Sequence, residues 1–130
     1  MSVLYVTDDS FLKHDTGPGH PESADRLRSV QAALEDEGFE SLRRRTAIPA
    51  TDEQMAAPHS LGLIGAIMAS APEEGYRHID PDTVMSPGTD EAIRRGAGAL
   101  VVAIDEVMGG VSQRAFCAVR PPGHHAERNR

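Results

Sequence analysis

The amino-terminal third of the chain combines a short apolar run with a longer amphipathic segment. Residues 3–6 read Val-Leu-Tyr-Val, a β-branched and aromatic run that predicts a buried strand, and the polar residues after it predict a loop. Residues 22–37 place apolar side chains at helical spacing, which predicts an amphipathic helix closed by Gly38. The apolar positions of this helix are Leu27, Val30 and Leu34.

The middle of the chain has weaker signals. Three arginines interrupt residues 42–48, so this segment is expected to form a short edge strand ending at Pro49. Thr51 and Gln54 have the spacing of a capping box, which indicates the start of a short helix. Residues 61–69 indicate a further helical segment in spite of the glycines within it.

The last third has the strongest pattern, a long helix followed by an apolar strand. Ser86 and Pro87 are expected to open this helix, and Gly109 is expected to end it. Its predicted apolar face consists of Ile93, Ala97, Leu100, Val101, Ile104, Val107 and Met108. Residues 115–119 are apolar without alternation, as expected of a parallel strand buried on both faces. The order of elements predicts an α/β fold with helices packed over a parallel sheet.

The composition is that of a globular protein with an acidic surface. A chain of 130 residues with 39% hydrophobic and 25% charged residues has the size and balance of one folded domain. The formal net charge of -7 argues against a nucleic-acid partner, because such a partner requires a basic surface. An acidic surface attracts cationic substrates such as polyamines or lysine-rich tails, and it also serves solubility.

Cysteine usage and the amino terminus both favour a cytoplasmic protein. Cys117 is the only cysteine, so the chain can form neither an internal disulfide nor a cysteine-based zinc site. The first nine residues lack the basic and apolar regions of a signal peptide, and no stretch has the roughly 20 apolar residues of a membrane span. No membrane partner is expected.

The segment after the predicted central strand carries the candidate chemistry. Residues 120–127 read Arg-Pro-Pro-Gly-His-His-Ala-Glu, in which the prolines stiffen the loop and the glycine permits close backbone approach. Ligands of open α/β sheets bind beyond the carboxyl ends of the strands, where this loop is expected. His124 and His125 could divide the acceptance and donation of a proton. Adjacent histidines are also compatible with plain loop polarity, but the position after a buried strand favours catalysis.

Four segments, in order along the chain, resemble the zinc-dependent histone deacetylase family, which includes acetylpolyamine amidohydrolases and acetoin utilisation proteins. The most specific is Arg-Pro-Pro-Gly-His-His-Ala at residues 120–126, which resembles the signature loop of class II and bacterial members. Residues 19–27 resemble the His-Pro-Glu segment that leads into the family's first helix. Residues 80–83 and 86–89 resemble the loop before the family's long helix and the start of that helix.

The resemblance implies a fold and a cofactor. Family members have a three-layer α/β/α domain with a parallel sheet, the arginase/deacetylase fold, and residues 1–130 would form only the N-terminal portion of that single domain. In the family, the zinc ligands and a carbonyl-polarising tyrosine all follow the histidine pair in the sequence. No zinc ligand is therefore expected within this chain, which should be inactive by itself.

The resemblance also implies roles for five residues. His125 would be the general base that deprotonates the zinc-bound water and the acid that protonates the leaving amine, and His124 would support it electrostatically. Gly123 would form part of the wall of the tunnel for the acyl-lysine stem. Asp82 matches the rim aspartate that binds substrate backbone amides, and Arg26 matches the arginine of the acetate exit channel.

Some of these residues have structural interpretations as well. Gly123 suits a tight turn, Asp82 is an ordinary turn residue, and Arg26 could simply lie on a helix surface. His20 is expected to fix the entry to the first helix, and His59 resembles a structural histidine of the family. Neither of the last two is expected to be catalytic.

The sequence favours a fragment of an enzyme that hydrolyses an acetyl-amide of the acetyl-lysine or acetylpolyamine type. A second interpretation is a noncatalytic half-domain that binds acyl groups or self-associates through an exposed sheet edge. An arginase-like metallohydrolase is disfavoured, because the Pro-Pro-Gly-His-His segment belongs to the deacetylase branch. A substitute metal site at His14, Asp15 and His20 is not expected, because polar loop residues without supporting groups are poor ligands.

Overall fold

The computed structural model describes residues 2–130, which form two sheets and five α-helices. The strands are β1 (Val3–Thr7), β2 (Arg43–Thr46), β3 (Arg77–His78), β4 (Val84–Met85) and β5 (Arg114–Cys117). The helices are α1 (Ser10–Lys13), α2 (Ala24–Leu34), α3 (Asp52–Ala56), α4 (Leu61–Ala69) and α5 (Thr89–Met108), with a 3₁₀ turn at Glu37–Phe39. Strands β3 and β4 form a small antiparallel hairpin.

Strand β1 lies at the centre of a parallel sheet with the order β2-β1-β5. Leu4 pairs with Arg43 on one side and with Ala115 on the other. Leu4 and Val6 are fully buried and Tyr5 is 3% exposed, so the predicted buried strand is confirmed. The main hydrophobic core is built around this short apolar run.

The middle of the chain follows most of the prediction, although β2 ends at Thr46 and not at Pro49. Strand β2 is an edge strand whose residues are all exposed, as the three arginines indicate. The capping box of Thr51 and Gln54 forms at the start of α3, with a hydrogen bond in each direction. The segment of residues 61–69 is helical and begins at the capping residue Ser60.

The three-stranded sheet lies between α2 and α5. Successive residues of a strand point to opposite faces of a sheet. Phe116 borders a cavity together with Leu27 and Val30 of α2, whereas Ala115 borders residues of α5 and the Cys117 thiol lies 3.7 Å from the Ala99 carbonyl oxygen of α5. Helices on both faces of a parallel sheet give the three-layer α/β/α arrangement that the sequence predicts.

Helix α2 is shorter at both ends than the helix predicted for residues 22–37. Ser23 is extended, with φ −115° and ψ 158°, so the helix begins at Ala24. Asp36 is also extended, with φ −66° and ψ 153°, and its conformation breaks the helix. Gly38 therefore lies in the 3₁₀ turn, and the prediction that it caps the helix is wrong because Glu35 takes that position.

Helix α1 occupies a segment that the sequence predicts as loop. Asp8 nucleates this single turn, because its Oδ1 accepts a hydrogen bond from the Ser10 N–H at 2.9 Å and its carbonyl accepts one from the Phe11 N–H at 3.2 Å. Phe11 is fully buried in the main core. Packing of one aromatic side chain therefore stabilises a helix too short to show periodicity.

Helix α5 is the predicted long helix, but it begins later than the sequence indicates. Its first residue is Thr89, preceded by Gly88 in the left-handed conformation with φ 88°. Ser86 does not cap the helix, since its hydroxyl instead accepts a hydrogen bond from the Asp15 N–H at 2.8 Å. The predicted end is confirmed, with Gly109 as the C-terminal cap.

The buried face of α5 differs from the predicted one. Leu100 is 56% exposed, Ile104 is 51% exposed and Met108 is 81% exposed, although all three belong to the predicted apolar face of the helix. The buried residues of the helix are Thr89, Ala92, Gly98, Ala99, Val102, Ala103 and Glu106. Small side chains form most of the buried face because α5 lies very close to neighbouring backbone. The buried face predicted from the positions of large apolar residues is therefore wrong.

Strand β5 is not buried on both faces as the sequence predicts. Ala115 is exposed and Phe116 is 49% exposed, whereas Ala118, just beyond the strand, is 6% exposed. Within residues 2–130, β5 pairs with β1 alone and forms the second edge of the sheet. Burial of a strand depends on its lateral neighbours, and the sequence pattern does not show which of them are present.

Among residues 2–130, no helix combines the length and the apolar character that crossing a membrane would require.

Candidate active site

The candidate site lies beyond the carboxyl ends of β1 and β5. These neighbouring strands are parallel, so the segments that leave them emerge at the same edge of the sheet. The segment after β1 contains α1 and leads to α2, and the segment after β5 contains the histidine pair. Residues 120–127 are called the histidine loop below.

Arg120 anchors the beginning of the histidine loop. Its side chain is 3% exposed and forms a bidentate ion pair with Glu22, with Nε–Oε1 and Nη2–Oε2 distances of 2.8 Å. Its Nη1 donates to the carbonyls of Phe11 and His14, each at 2.6 Å. The planar guanidinium therefore ties the start of the loop to α1 and to the segment before α2.

Glu22 is the centre of this network. Its N–H donates to His20 Nδ1 at 3.0 Å, and its Oε1 lies 3.7 Å from Arg26 Nη1. Its Oε2 lies 3.8 Å from His14 Nε2. Sequence reasoning assigned no role to Glu22 or Arg120, although an arginine directly after an apolar strand requires a partner if it is buried.

His14 is a buried histidine within the same network. It is 3% exposed, and its Nδ1 lies 2.8 Å from Thr89 Oγ1 at the start of α5. Burial, followed by the positive charge of Arg120, holds the pKa of His14 below its ordinary value, while Glu22 acts in the opposite direction. His14 is therefore a neutral side chain that links three elements near neutral pH.

The side chains of Asp15 and His20 are also engaged in structural contacts. Asp15 accepts hydrogen bonds from the Gly17 N–H at 2.9 Å and the Tyr76 hydroxyl at 2.8 Å, and these bonds hold the pKa of Asp15 below its ordinary value. His20 Nε2 donates to the carbonyl of Asp82 at 3.0 Å. Within residues 2–130, no three His, Cys, Asp or Glu side chains are placed to hold a metal ion.

His59 contacts the far end of the histidine loop. Its Nδ1 lies 2.7 Å from the carbonyl oxygen of Glu127, so this nitrogen is the donor. The next residue, Ser60, donates its N–H to the carbonyl of Arg128 at 2.8 Å. The segment between α3 and α4 therefore binds the chain just after the histidine pair.

His124 and His125 lie between these two anchors. Their ring centroids are 4.2 Å apart, with an interplanar angle of 61°, and both residues are exposed. Gly123 has φ 69° and its carbonyl accepts the Ala126 N–H at 3.1 Å, so the glycine forms a tight turn before the pair. The loop thus presents two adjacent imidazoles at the open side of the site.

Arg26 contacts Glu22 directly, whereas Asp82 joins the network through His20. Arg26 has a side chain that is 67% exposed and borders a cavity of about 190 Å³ formed by α2 and residues 116–120. The Asp82 side chain is 85% exposed, and its N–H donates to Asp80 Oδ1 at 2.8 Å within a turn. Their structural interpretations, as a helix-surface arginine and a turn aspartate, are therefore compatible with the structure.

A parallel sheet between helices, with a histidine pair beyond its carboxyl edge, is typical of an α/β enzyme domain. Comparison with known proteins identifies the class more closely, since residues 20–130 match the Histone deacetylase domain. The chain belongs to the histone deacetylase family, as the resemblance of its motifs predicts.

Three relatives illustrate the match. The chain is 32% identical to a histone deacetylase-like amidohydrolase of Pseudomonas aeruginosa over 95% of its own length, and 32% identical to a probable deacetylase of Archaeoglobus fulgidus over 98%. It spans 32% and 36%, respectively, of the lengths of these relatives. The solved HD domain of HDA15 superimposes with a TM-score of 0.91 at 26% identity, over 98% of this chain and 37% of that one. The arginase/deacetylase fold class predicted from the sequence is confirmed.

Proposed function

We propose that this chain provides the histidine pair of a zinc-dependent deacetylase that hydrolyses acetyl-lysine or acetylpolyamine amides. The observation that carries the proposal is the histidine loop, which is held at both ends and presents adjacent imidazoles beyond the carboxyl edge of the sheet. Family membership supports deacetylase chemistry, and the substrate class is our extension of it. The acidic surface is suited to cationic substrates of both kinds.

The proposed chemistry gives His125 the central proton transfers. His125 accepts a proton from the attacking water and then donates a proton to the leaving amine, while the adjacent His124 binds and orients the water. Zinc supplies Lewis-acid activation in such hydrolysis. We propose that residues outside this chain hold the zinc, because residues 2–130 offer no cluster of ligands for it.

Three further residues are proposed to handle substrate and product. Gly123 lines the path of the acyl-lysine stem, where the missing side chain leaves room. Asp82 accepts hydrogen bonds from the substrate backbone through its carboxylate, which is 85% exposed and whose Oδ1 lies 3.4 Å from His20 Nε2. Arg26 guides the departing acetate through its cationic guanidinium, beside the cavity that it borders.

We further propose that residues 1–130 are the N-terminal portion of one deacetylase domain and are inactive alone. The structural match to 37% of a longer solved domain supports this organisation. The complete protein is proposed to act in the cytoplasm, in line with the absence of cysteine pairs.

The first prediction concerns acetate release from acetyl-lysine and acetylpolyamine by the complete protein and by this chain. The complete protein should release acetate in a zinc-dependent manner, and His125→Ala should reduce kcat by about 10²- to 10⁴-fold, the usual contribution of a general acid-base. His78→Ala removes an exposed histidine of β3 and should leave the rate unchanged. Full activity of His125→Ala would contradict the assignment, and turnover by this chain alone would contradict the proposed inactivity.

A second candidate function is a noncatalytic half-domain that self-associates or binds acyl groups. The specific observation in its favour is apolar surface on both sides of the free edge of β5. Phe116 is exposed on the α2 side, and Leu100 and Ile104 are exposed on the α5 side. An unpaired strand edge with apolar flanks is a template for pairing with another chain.

A further inference from the structure

We infer that His59 is a positioning residue, which fixes the far end of the histidine loop and thereby sets the orientation of His124 and His125. The inference rests on the proposed function, because it gives His59 a part in the same site. The sequence predicts only a structural role for His59, and the inference adds a role in orienting the histidine pair.

The near end of the loop is fixed independently of His59. Arg120 is 3% exposed and directs its hydrogen bonds to Glu22 and to the carbonyls of Phe11 and His14. These partners belong to the segment that follows β1, whereas His59 belongs to the segment between α3 and α4. The position of residue 120 is therefore set before the chain reaches the histidines.

The far end is held through main-chain carbonyls. His59 Nδ1 donates to Glu127 at 2.7 Å, and the Ser60 N–H donates to Arg128 at 2.8 Å. The donors are themselves rigidly placed, because the His59 N–H donates to the Met55 carbonyl at 3.2 Å and Ser60 caps α4. Met55 is 8% exposed in the second hydrophobic core, so the anchor is tied to packed helices.

Between the anchors, the loop has little to hold it. No side chain within residues 2–130 hydrogen-bonds to the imidazole of His124 or His125, and both residues are exposed. The turn at Gly123 is closed by one backbone hydrogen bond, from the Ala126 N–H. The orientation of the two rings therefore depends on where the loop ends are fixed, and His59 is the side chain that fixes the second end.

Two kinds of variant separate the donor of His59 from its bulk. His59→Asn places an amide donor near the position of Nδ1 and should keep the hydrogen bond to Glu127. His59→Phe keeps a ring of similar size without a donor, and His59→Leu lacks both the ring and the donor. His78→Phe is the matched control, since His78 is exposed in β3.

The test is nuclear magnetic resonance of the full chain with its own sequence and with each variant. In the unchanged chain, the amides of His124 and His125 should have order parameters of about 0.85, and cross-peaks should connect the two rings. His59→Phe and His59→Leu should lower these order parameters below about 0.6 and abolish the ring cross-peaks, with the amide shifts of β1 unchanged. His59→Asn and His78→Phe should match the unchanged chain.

The inference is overturned if both donor-free variants keep the order parameters and the ring cross-peaks. It is also overturned if His59→Asn loosens the loop as much as His59→Phe, because the hydrogen bond would then not be the cause. In the complete protein, His59→Phe should lower kcat by about 10²-fold, as misplacement of a catalytic group by about 1 Å does, with little change in KM. If the complete protein has no deacetylase activity but the His59 variants still lower the order parameters of His124 and His125, the proposed function is contradicted. The positioning role of His59 is then still supported.

Discussion

At the residue scale, Glu22 and Arg120 show how a charged pair can organise a site without acting in it. The two residues are 98 positions apart in the sequence, yet Arg120 Nε and Glu22 Oε1 lie 2.8 Å apart, with the Arg120 side chain 3% exposed and the Glu22 side chain 17% exposed. Removing one partner of such a pair leaves a buried charge without compensation, which is more costly than a missing contact on the surface. The pair therefore couples the segment before α2 to the histidine loop.

A prediction at this scale concerns the pH dependence of stability. The pKa of His14 is held below its ordinary value by burial and by Arg120, while Glu22, Asp15 and His20 also face it. As the pH falls, His14 of the unfolded chain binds a proton at about pH 6.5, whereas His14 of the folded chain binds one only at lower pH. The free energy of unfolding should therefore fall as the pH drops below about 6.5. Urea unfolding at pH 7.5 and 5.5 would measure this loss.

The variant His14→Asn isolates the contribution of this one residue. It retains a hydrogen-bonding group near Thr89 but does not titrate, so its stability should change less between the two pH values. His78→Asn, at an exposed position of β3, should keep the full pH dependence of the unchanged chain. An undiminished pH dependence in His14→Asn would show that His14 is not the responsible group.

At the element scale, close approach rather than hydrophobicity selects the buried face of α5. A Cβ on Gly98 would overlap the carbonyl oxygen of Ile48 and lie 2.8 Å from the Ala50 nitrogen. Farther along the helix, Glu106 is 8% exposed and accepts a hydrogen bond from Arg45 of β2 at 2.7 Å. A carboxylate and a glycine on the sheet side of α5 explain why a count of large apolar residues selects the wrong face.

This close approach predicts opposite effects for two glycines of α5. Gly98→Ala should lower the free energy of unfolding by about 1–3 kcal/mol, because the methyl group has no space against the backbone of Ile48. Gly96→Ala should raise it by about 0.5–1 kcal/mol, since its Cβ would meet only Phe11 at 3.9 Å and alanine favours the helix. Urea unfolding of both variants measures the difference, and equal effects would contradict the proposed packing.

At the scale of the whole molecule, the surface beside β5 brings several exposed apolar side chains together. Exposed Leu100, Ile104 and Met108 adjoin the free edge of the strand on one face of the sheet, and Phe116 is exposed on the other. Contiguous apolar surface of this kind marks an interface or a tendency to aggregate. We therefore propose this surface as the place where the chain associates.

The corresponding prediction is that the purified chain self-associates through this surface. Sedimentation velocity should show dimers or larger species, and the double variant Leu100→Lys with Ile104→Lys should shift them toward monomer without loss of stability, because both side chains are already exposed. Ala57→Lys with Ala66→Lys adds the same charge at exposed positions outside α5 and β5 and should have no such effect. A compact monomer for the unchanged chain would contradict the prediction.

The sequence by itself determines those features that depend on neighbouring residues. The apolar run of β1, the capping box at Thr51 and the end of α5 at Gly109 are local signals, and the structure confirms each of them. The motif around His124 and His125 is equally local, which is why it indicates the family before any fold is known. Local periodicity and turn chemistry are sufficient for such features, because their determinants lie within a few residues of one another.

Tertiary structure alone decides the features that depend on residues distant in the sequence. The ion pair of Arg120 with Glu22, the hydrogen bond of His59 with Glu127 and the small-residue face of α5 all require segments that meet only in the folded chain. The periodicity of the sequence does not show which residue contacts a given side chain in the folded protein. That contacting residue decides whether the cost of burying a charged group is compensated. For this reason the sequence is sufficient to propose the histidine pair as a candidate site, whereas it does not show the contacts that hold the pair in place.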